Sequence, residues 1–591
     1  MPHLPPLDVR LFEWVDHNGW AYWLVAWSVF AVFVAAALAP LGVGPTEDRG
    51  NTAVRPRWLR LLATPALFAV VVVVLLCAFR WPLWFAGPLE NPDEAEWIAG
   101  ALTLRHGGLP WKSIDCHTSG PLSPATLLLT IPLGLPLNYV GVRVFTSLLQ
   151  AACVLALWRT ARRFFPEWIA RLALLPAVNF WACRWFHDIG QYSSELASVL
   201  LLALAGWCGA SAVTTNRSRR KLGLLALAGA LATTAPLLAK PQSSPLAVAL
   251  GVVLLVAAVS ASARTPQLSG TRRACGSGIA ALALGAAAPA VLLGAYLGTY
   301  GLGAQFRIFY WQSNVLYTAE RAYGWLDGAT AFATILAPVS GATACVLGAV
   351  GFATLALALS ALKPRRKWTR ILGAWLLLAA AILAVVAPGR IERQHYLHLI
   401  VLPLSWLAAV SLAAVHERLS PAAAKRAGLI AAGAFVLLTS AGPVWQTSRQ
   451  TPPMNGQLYF WRERQTTLVG EYVRALAEPG DELVVWGWSP GYHVETGLPQ
   501  GSREAHCGLI INPGPLQSHY RDRLLFDLRR HRPRWFIDAV SPGHFGYRDR
   551  ALFGHETVPD LRVFIAARYD LVDDFDGVRV YRRRDATAAS P

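Results

Sequence analysis

A polytopic α-helical membrane protein with a C-terminal extracytoplasmic α/β domain is the fold class the sequence predicts, on three observations. Of 591 residues, 54% are apolar and only 15% are charged, against roughly 25% charge in an average soluble domain. About twelve apolar runs approach the length of about twenty residues that a helix needs to cross a bilayer core of ~30 Å. Beyond about Thr447 the apolar runs shrink to strand length and charges become frequent. A soluble enzyme of this size is excluded by the composition, and disorder by the 24 Trp, 23 Phe and 16 Tyr, because chains that stay unfolded are poor in aromatics.

The runs lie near residues 20–43, 59–79, 137–158, 166–183, 194–213, 222–239, 245–262, 277–298, 329–361, 371–388, 396–415 and 427–443. Their orientation follows from Lys and Arg, which collect in short cytoplasmic loops. Every second connector is basic, as in Arg49, Arg55 and Arg57, then Arg159, Arg162 and Arg163, then Arg217 to Lys221, and later Lys363 to Arg370. This alternation puts the N-terminus and everything after residue 444 on the extracytoplasmic side of the plasma (inner) membrane. It also absorbs much of the +18 net charge, which in a soluble protein would point to nucleic acid; no nucleic-acid partner is expected. The segment Pro121 to Leu137 is apolar but short and carries four prolines. Counting it as a crossing would invert every later loop, so it is expected at the membrane surface or re-entrant.

Two regions result, a transmembrane part at 1–446 with a large first extracytoplasmic loop at 80–136, and a soluble part at 447–591. In the soluble part Glu482–Trp488, Arg534–Val540 and Val578–Tyr581 read as strands and Tyr459–Leu476 as a polar helix. The eight cysteines include no CxxC spacing, which argues against a zinc site. Cys116 and Cys507 alone lie clear of apolar runs, as two free thiols or as a pair if both face an oxidising compartment.

With this orientation, the extracytoplasmic connectors hold nearly every unusual polar group near the membrane. The first loop carries Asn91-Pro92-Asp93-Glu94-Ala95-Glu96-Trp97 and Asp115-Cys116-His117. Later ones carry Arg184, His187, Asp188 and Gln191 to Glu195, then Lys240-Pro241-Gln242, then Arg307, Tyr310 and Asn314, then Arg390, Arg393, His395 and Tyr396. Ionisable groups are costly at membrane depth, at least ~2.5–3.5 kcal/mol each near a helix centre. Their convergence on one side marks a site for charged and hydroxylated groups beside lipid. The pair Asp93 and Glu94 suits general-base catalysis, and Lys240, Arg390 and His395 suit the holding of a phosphate. His117, Arg184, His187, Glu195, Gln242, Tyr310 and Tyr396 complete the set as substrate-binding candidates.

Each member has a plainer reading. Acids after Asn-Pro favour a helix start, Lys240 before proline marks a helix end with a snorkelling amine, and Arg390 and Arg393 anchor lipid head groups. The collection on one side is harder to explain in that way than any single residue. A transporter or flippase for lipid-linked saccharides is the alternative, as is a non-catalytic envelope assembly protein; a transport pathway would continue polar groups to the cytoplasmic side, where mid-span charges are nearly absent. In the tail, Trp486, Trp488, Tyr492, His493 and His506 suit contact with a sugar ring, but a small α/β core accounts for them and is the preferred reading.

The run Asn91 to Ala99, followed by Gly107-Gly108-Leu109-Pro110-Trp111 and Gly120-Pro121-Leu122, resembles the bacterial membrane glycosyltransferases of the GT-C fold. The branch it is similar to is that of protein O-mannosyltransferases and lipid A aminoarabinose transferases. Gln191 to Glu195, Lys240-Pro241-Gln242 and Gly389-Arg390 with His395-Tyr396 agree, and the likeness covers roughly residues 59–410. It implies an enzyme that moves a sugar, with inversion, from a polyprenyl-phosphate donor to an extracytoplasmic hydroxyl of a glycan, lipid or protein. The acid that activates the acceptor carries over to Asp93, with Glu94 its neighbour, and the departing phosphate to Lys240, Arg390 and His395. No cofactor is required, since the family does not uniformly use a metal; a divalent ion near Asp93, Glu94, Asp115, His117 and Glu195 is the alternative. Aminoarabinose transferases often carry Lys-Pro-Pro-Leu where this chain has Ser119-Gly120-Pro121-Leu122, so His117 or Lys112 is expected in place of that lysine.

Overall fold

The computed structural model describes residues 19–42, 56–84, 92–182, 187–262, 268–319, 325–337, 345–354, 368–390, 393–417, 429–442 and 466–584. Among these, nine helices are long and apolar enough to cross a membrane. In chain order the helices used below are α1 (Gly19–Gly42), α2 (Pro65–Trp84), α3 (Asp93–Arg105), α4 (Tyr139–Ala161), α5 (Ser194–Thr214), α6 (Ser218–Thr234), α7 (Ser244–Ser262), α8 (Leu268–Thr299), α9 (Trp368–Val386), α10 (Val401–His416), α11 (Leu468–Leu476) and α12 (Gln517–His531). All but α3, α11 and α12 belong to the nine.

Local chemistry sets several ends. Asn138 caps α4 by accepting from the Gly141 N–H at 3.0 Å, and Ser193 caps α5 from an extended backbone, as short polar side chains do. Aromatic faces interlock the first bundle, with ring centroids 5.7 Å apart for Phe33 and Phe68 and 5.2 Å for Phe68 and Trp158. The outward faces stay apolar, with Val70 and Val74 of α2 exposed, as suits a lipid-facing surface.

Some expected runs take a different form. Residues 166–183 form two short helices, Glu167–Leu172 and Leu175–Ala182; Pro176 opens the second, having no N–H to continue the first. Of the expected 329–361 run, the part up to Leu336 belongs to the helix Trp325–Leu336 and Cys345–Thr354 is helical, while 338–344 and 355–361 lie outside the described residues; the last run is the helix Leu429–Gly442. The α2 helix runs past residue 79 and takes in Arg80, which donates to the carbonyls of Trp181 at 3.1 Å and Gly190 at 2.6 Å. Pro121–Leu137 does not cross, being the short helix Leu122–Leu127, a 3₁₀ turn and further turns.

The C-terminal domain holds a four-stranded sheet of β1 (Leu483–Trp486), β2 (Trp535–Asp538), β3 (Tyr569–Phe575) and β4 (Val578–Arg583), ordered β1-β2-β4-β3. β1 and β2 run parallel, with Val484 opposite Phe536, and the other pairings are antiparallel. Side chains alternate across the sheet as period two requires. Val484, Trp486 and Phe536 pack with Tyr520, Leu524 and Leu528 of α12, whereas Val485, Trp535 and Ile537 pack with Val473 of α11. The edge strand β3 was not expected, because Asp570, Asp573 and Asp574 interrupt its apolar pattern. Of the expected helix Tyr459–Leu476, Leu468–Leu476 is helical, and its start lies outside the described residues.

This domain docks on the first loop through buried ions. Arg523 binds both Asp115 and Glu504, the latter at 2.6 Å. The Asp115 N–H donates to the Arg503 carbonyl at 2.7 Å, and the Gln500 N–H to the Thr103 hydroxyl at 2.9 Å. Cys116 and Cys507 are free and buried.

Candidate functional site

Where the span ends, the first loop and the C-terminal domain meet, they enclose a cavity of about 700 Å³. Its lining includes Asp93, Glu96, His117, Glu195, Lys240, Arg390, Arg393, His395 and Tyr396, together with Trp488, His506 and Tyr520 of the C-terminal domain. Its polar groups therefore come from stretches of chain scattered between Asp93 and Tyr520.

Asp93 and Glu96 open α3 and, three residues apart, share one helix face. Their surroundings push them in opposite directions. Burial raises the Asp93 carboxyl above its ordinary range, with Arg393 and then His395 opposing. Burial acts on Glu96 in the same sense, but His117 and His506 outweigh it and hold that carboxyl below its ordinary range. Two neighbouring acids driven apart in this way suit a proton acceptor beside a permanent anion. Glu96 lies 3.7 Å from His117 Nε2 and 3.4 Å from His506 Nε2. Trp488, His506 and His117 stack in succession, with centroids 5.0 Å and 5.4 Å apart.

On the opposite wall α6 ends in a π-turn, Ala235–Ala239, and the chain turns at Lys240 because Pro241 cannot continue the ladder. The Lys240 ammonium lies 3.1 Å from Glu195 Oε1 and donates to the Ser119 hydroxyl at 3.0 Å. Gly120 makes this approach possible. Its N–H donates to the Ala239 carbonyl at 2.7 Å, and a Cβ there would stand 2.0 Å from the Leu238 carbonyl oxygen. The Tyr396 hydroxyl meets that of Tyr317 at 2.9 Å, Arg390 covers the Tyr317 ring at 4.8 Å, and His395 Nδ1 lies 3.4 Å from Asp188.

Some predicted residues fall elsewhere. Glu94 does not line the cavity. It is 2% exposed, is clasped by Arg143 at 2.6 Å and 2.9 Å, and accepts the Tyr192 N–H at 2.9 Å, so it joins α3 to α4. Gln242 and Tyr310 line a smaller neighbouring cavity of about 470 Å³, which shares Thr118, Lys240, Tyr317 and Tyr396 with the first. Lys112 sits over the Tyr300 ring and does not line the cavity, whereas His117 does. Arg184 and the side chain of His187 lie outside the described residues. Sequence reasoning missed Glu96, although the i, i+3 spacing from Asp93 signals it. It also assigned Trp488 and His506 to the core, whereas they line the cavity; Trp486 and His493 are fully buried.

One cluster can hold a divalent metal. Ligand atoms of Glu96, His117 and His506 lie within 4.8 Å of one another, and Glu96 Oε1 and both His117 ring nitrogens are buried without a hydrogen bond. One carboxylate and two imidazoles form a donor set that suits zinc. This is not the expected set, since Asp115 is taken by Arg523. A second group, Asp538, His555 and Glu556, already holds Arg550 at 2.7 Å and Arg579 at 2.8 Å, so cations fill the place a metal would take.

The fold and site define a multi-span helical membrane protein whose polar cavity is lined in part by a C-terminal sheet domain. No protein-family model matches the chain, and no curated protein does. Among solved structures it is similar to ArnT from Cupriavidus metallidurans bound to undecaprenyl phosphate, with TM-score 0.49 and 14% identity, over 89% of this chain and 99% of that one. The apo form of the same protein gives TM-score 0.46 and 14% identity, over 88% and 99%.

Proposed function

We propose that the chain is a membrane glycosyltransferase that moves a sugar from a polyprenyl-phosphate donor to an acceptor hydroxyl on the extracytoplasmic side. The observation that carries this reading is a single cavity that combines Asp93, a carboxylate of raised proton affinity, with the cations Lys240, Arg390 and Arg393. A base and a phosphate-holding group are the two needs of such a transfer. The mostly apolar cavity alongside, reached past Lys240 and Tyr396, suits the isoprenoid chain, and the first-loop motif resemblance points the same way.

In this mechanism the acceptor hydroxyl gives its proton to Asp93 as its oxygen attacks the anomeric carbon. The bond from that carbon to the phosphate oxygen breaks, and the anomeric configuration inverts. Lys240 and Arg390 meet the charge that develops on the departing phosphate, with Arg393 beside them. Glu94 has no part in the chemistry. A metal held by Glu96, His117 and His506 would supply Lewis acidity; without it, Glu96 and the two imidazoles still tie the C-terminal domain to α3. The test is Asp93→Asn in proteoliposomes supplied with a radiolabelled polyprenyl-phosphate sugar. Transfer should fall by about 10²–10⁴-fold while the protein inserts and elutes normally; full transfer by that variant would remove Asp93 from its role.

A further inference from the structure

A second large cavity, of about 710 Å³, lies at the other end of the same helices. Glu195, at the start of α5, faces the first cavity, whereas Gly206, Gly209 and Thr214, further along α5, line the second. The two share no lining residue, so they are not halves of one polar passage. The walls of the second are α5, α7, α9 and the ends of α4 and α10, and they are mostly apolar. Val256 and Leu372 on these walls are 48% and 61% exposed, so the cavity opens sideways, toward the surface that lipid covers.

Its rim is cationic. Arg370 lines the cavity with its guanidinium over Phe164 and Phe165, at 5.9 Å and 5.8 Å from the ring centres. Phe164 follows directly on Arg162, which pairs with Glu167 at 3.4 Å, and Arg163, and with Arg159 these two line a small hollow of their own. An apolar slot at membrane depth beneath several guanidinium groups matches an amphiphile with an anionic phosphate head. The side-on opening matches entry from the bilayer.

We propose that this cavity binds an anionic phospholipid of the leaflet opposite the first cavity, with an acyl chain between α5, α7 and α9 and its phosphate on Arg370 and the Arg159–Arg163 cluster. The occupant is a resident lipid rather than the donor, whose phosphate belongs at the far end of the spans.

The test uses the full chain in nanodiscs of phosphatidylcholine and phosphatidylglycerol, with retained lipid read by native mass spectrometry after detergent release. Phosphatidylglycerol should be retained at least about fivefold over phosphatidylcholine, the scale of one arginine near an anionic surface. Gly206→Phe should empty the site, since a Cβ there meets nothing closer than Thr160 Oγ1 at 3.9 Å and the ring enters the cavity. Val256→Trp fills the same space from α7, and Arg370→Gln should keep a lipid but lose the preference. Melting temperatures in detergent establish that each variant is folded. Equal retention of the two lipids by the unmodified chain, or unchanged retention in both filled variants, overturns the proposal. So does recovery of a polyprenyl phosphate as the lipid that Gly206→Phe displaces.

Discussion

The Lys240 ammonium stands 3.1 Å from Glu195 in a site where the two side chains are 7% and 0% exposed. Removing one partner of so buried a pair strands the other's charge, at a cost of about 3–5 kcal/mol, whereas replacing both by apolar groups of similar size is often neutral. Lys240→Met should therefore lower the thermal unfolding midpoint in detergent sharply, and the double variant Lys240→Met/Glu195→Met should restore it. Transfer activity should stay lost in both. A double variant as unstable as the single one would contradict the pairing.

The raised proton affinity of Asp93 sets a pH dependence. A base must be unprotonated to act, so transfer should rise with pH through a midpoint above the ordinary carboxylate range. Arg393 is the largest influence opposing that rise. Removing its positive charge disfavours the carboxylate and raises the pKa further, so in Arg393→Gln the acid limb should move to higher pH. A limb that stays put, measured as rate against pH at saturating donor, would dissociate Arg393 from Asp93.

Arg523 joins the C-terminal domain to the first loop by its ion pair with Asp115, while Glu504 of its own domain holds the guanidinium in place. Burial alone would raise the Asp115 carboxyl, but Arg523 and His117 hold it below its ordinary value. Its contribution to docking is thus present above the unfolded carboxylate pKa of about 3.9 and is lost only as pH falls through the lower folded value. Arg523→Met leaves two buried carboxylates without their cation and should release the domain near neutral pH, by about 3–5 kcal/mol. Limited proteolysis would then cut around residues 466–584 where the unmodified chain resists.

Gly120→Ala tests the approach of the first loop to the Lys240 turn. A methyl group 2.0 Å from the Leu238 carbonyl oxygen cannot be accommodated by side-chain movement, because the obstacle is backbone. The variant should insert normally and lose most transfer, with Lys240 displaced from Ser119; activity within twofold of the unmodified chain would show that this contact does not set the site.

The spans are legible in the sequence because bilayer thickness demands long apolar runs whatever the tertiary packing. Asp93, Lys240, Arg390 and His395 are legible because charge at membrane depth needs a reason. Glu94 looked equivalent to Asp93 since adjacent acids read alike on a line; on a helix they point about 100° apart, and Glu94 meets Arg143, 49 positions away. His506 and Trp488 lie about four hundred residues from α3 in the chain, and no local periodicity reports so distant a contact. The edge strand β3 is hard to read for a physical reason too, since Asp570, Asp573 and Asp574 break up its apolar pattern and Leu571 and Val572 face outward.

Trp488, His506 and Tyr520 close the cavity from a domain that leaves the ribosome after all the described spans. Until those last residues fold, Asp93 and Lys240 face an open basin that admits water. The cavity's roof is thus the last part of the site to be made, and a chain cut short before Trp488 would carry Asp93 and Lys240 without it.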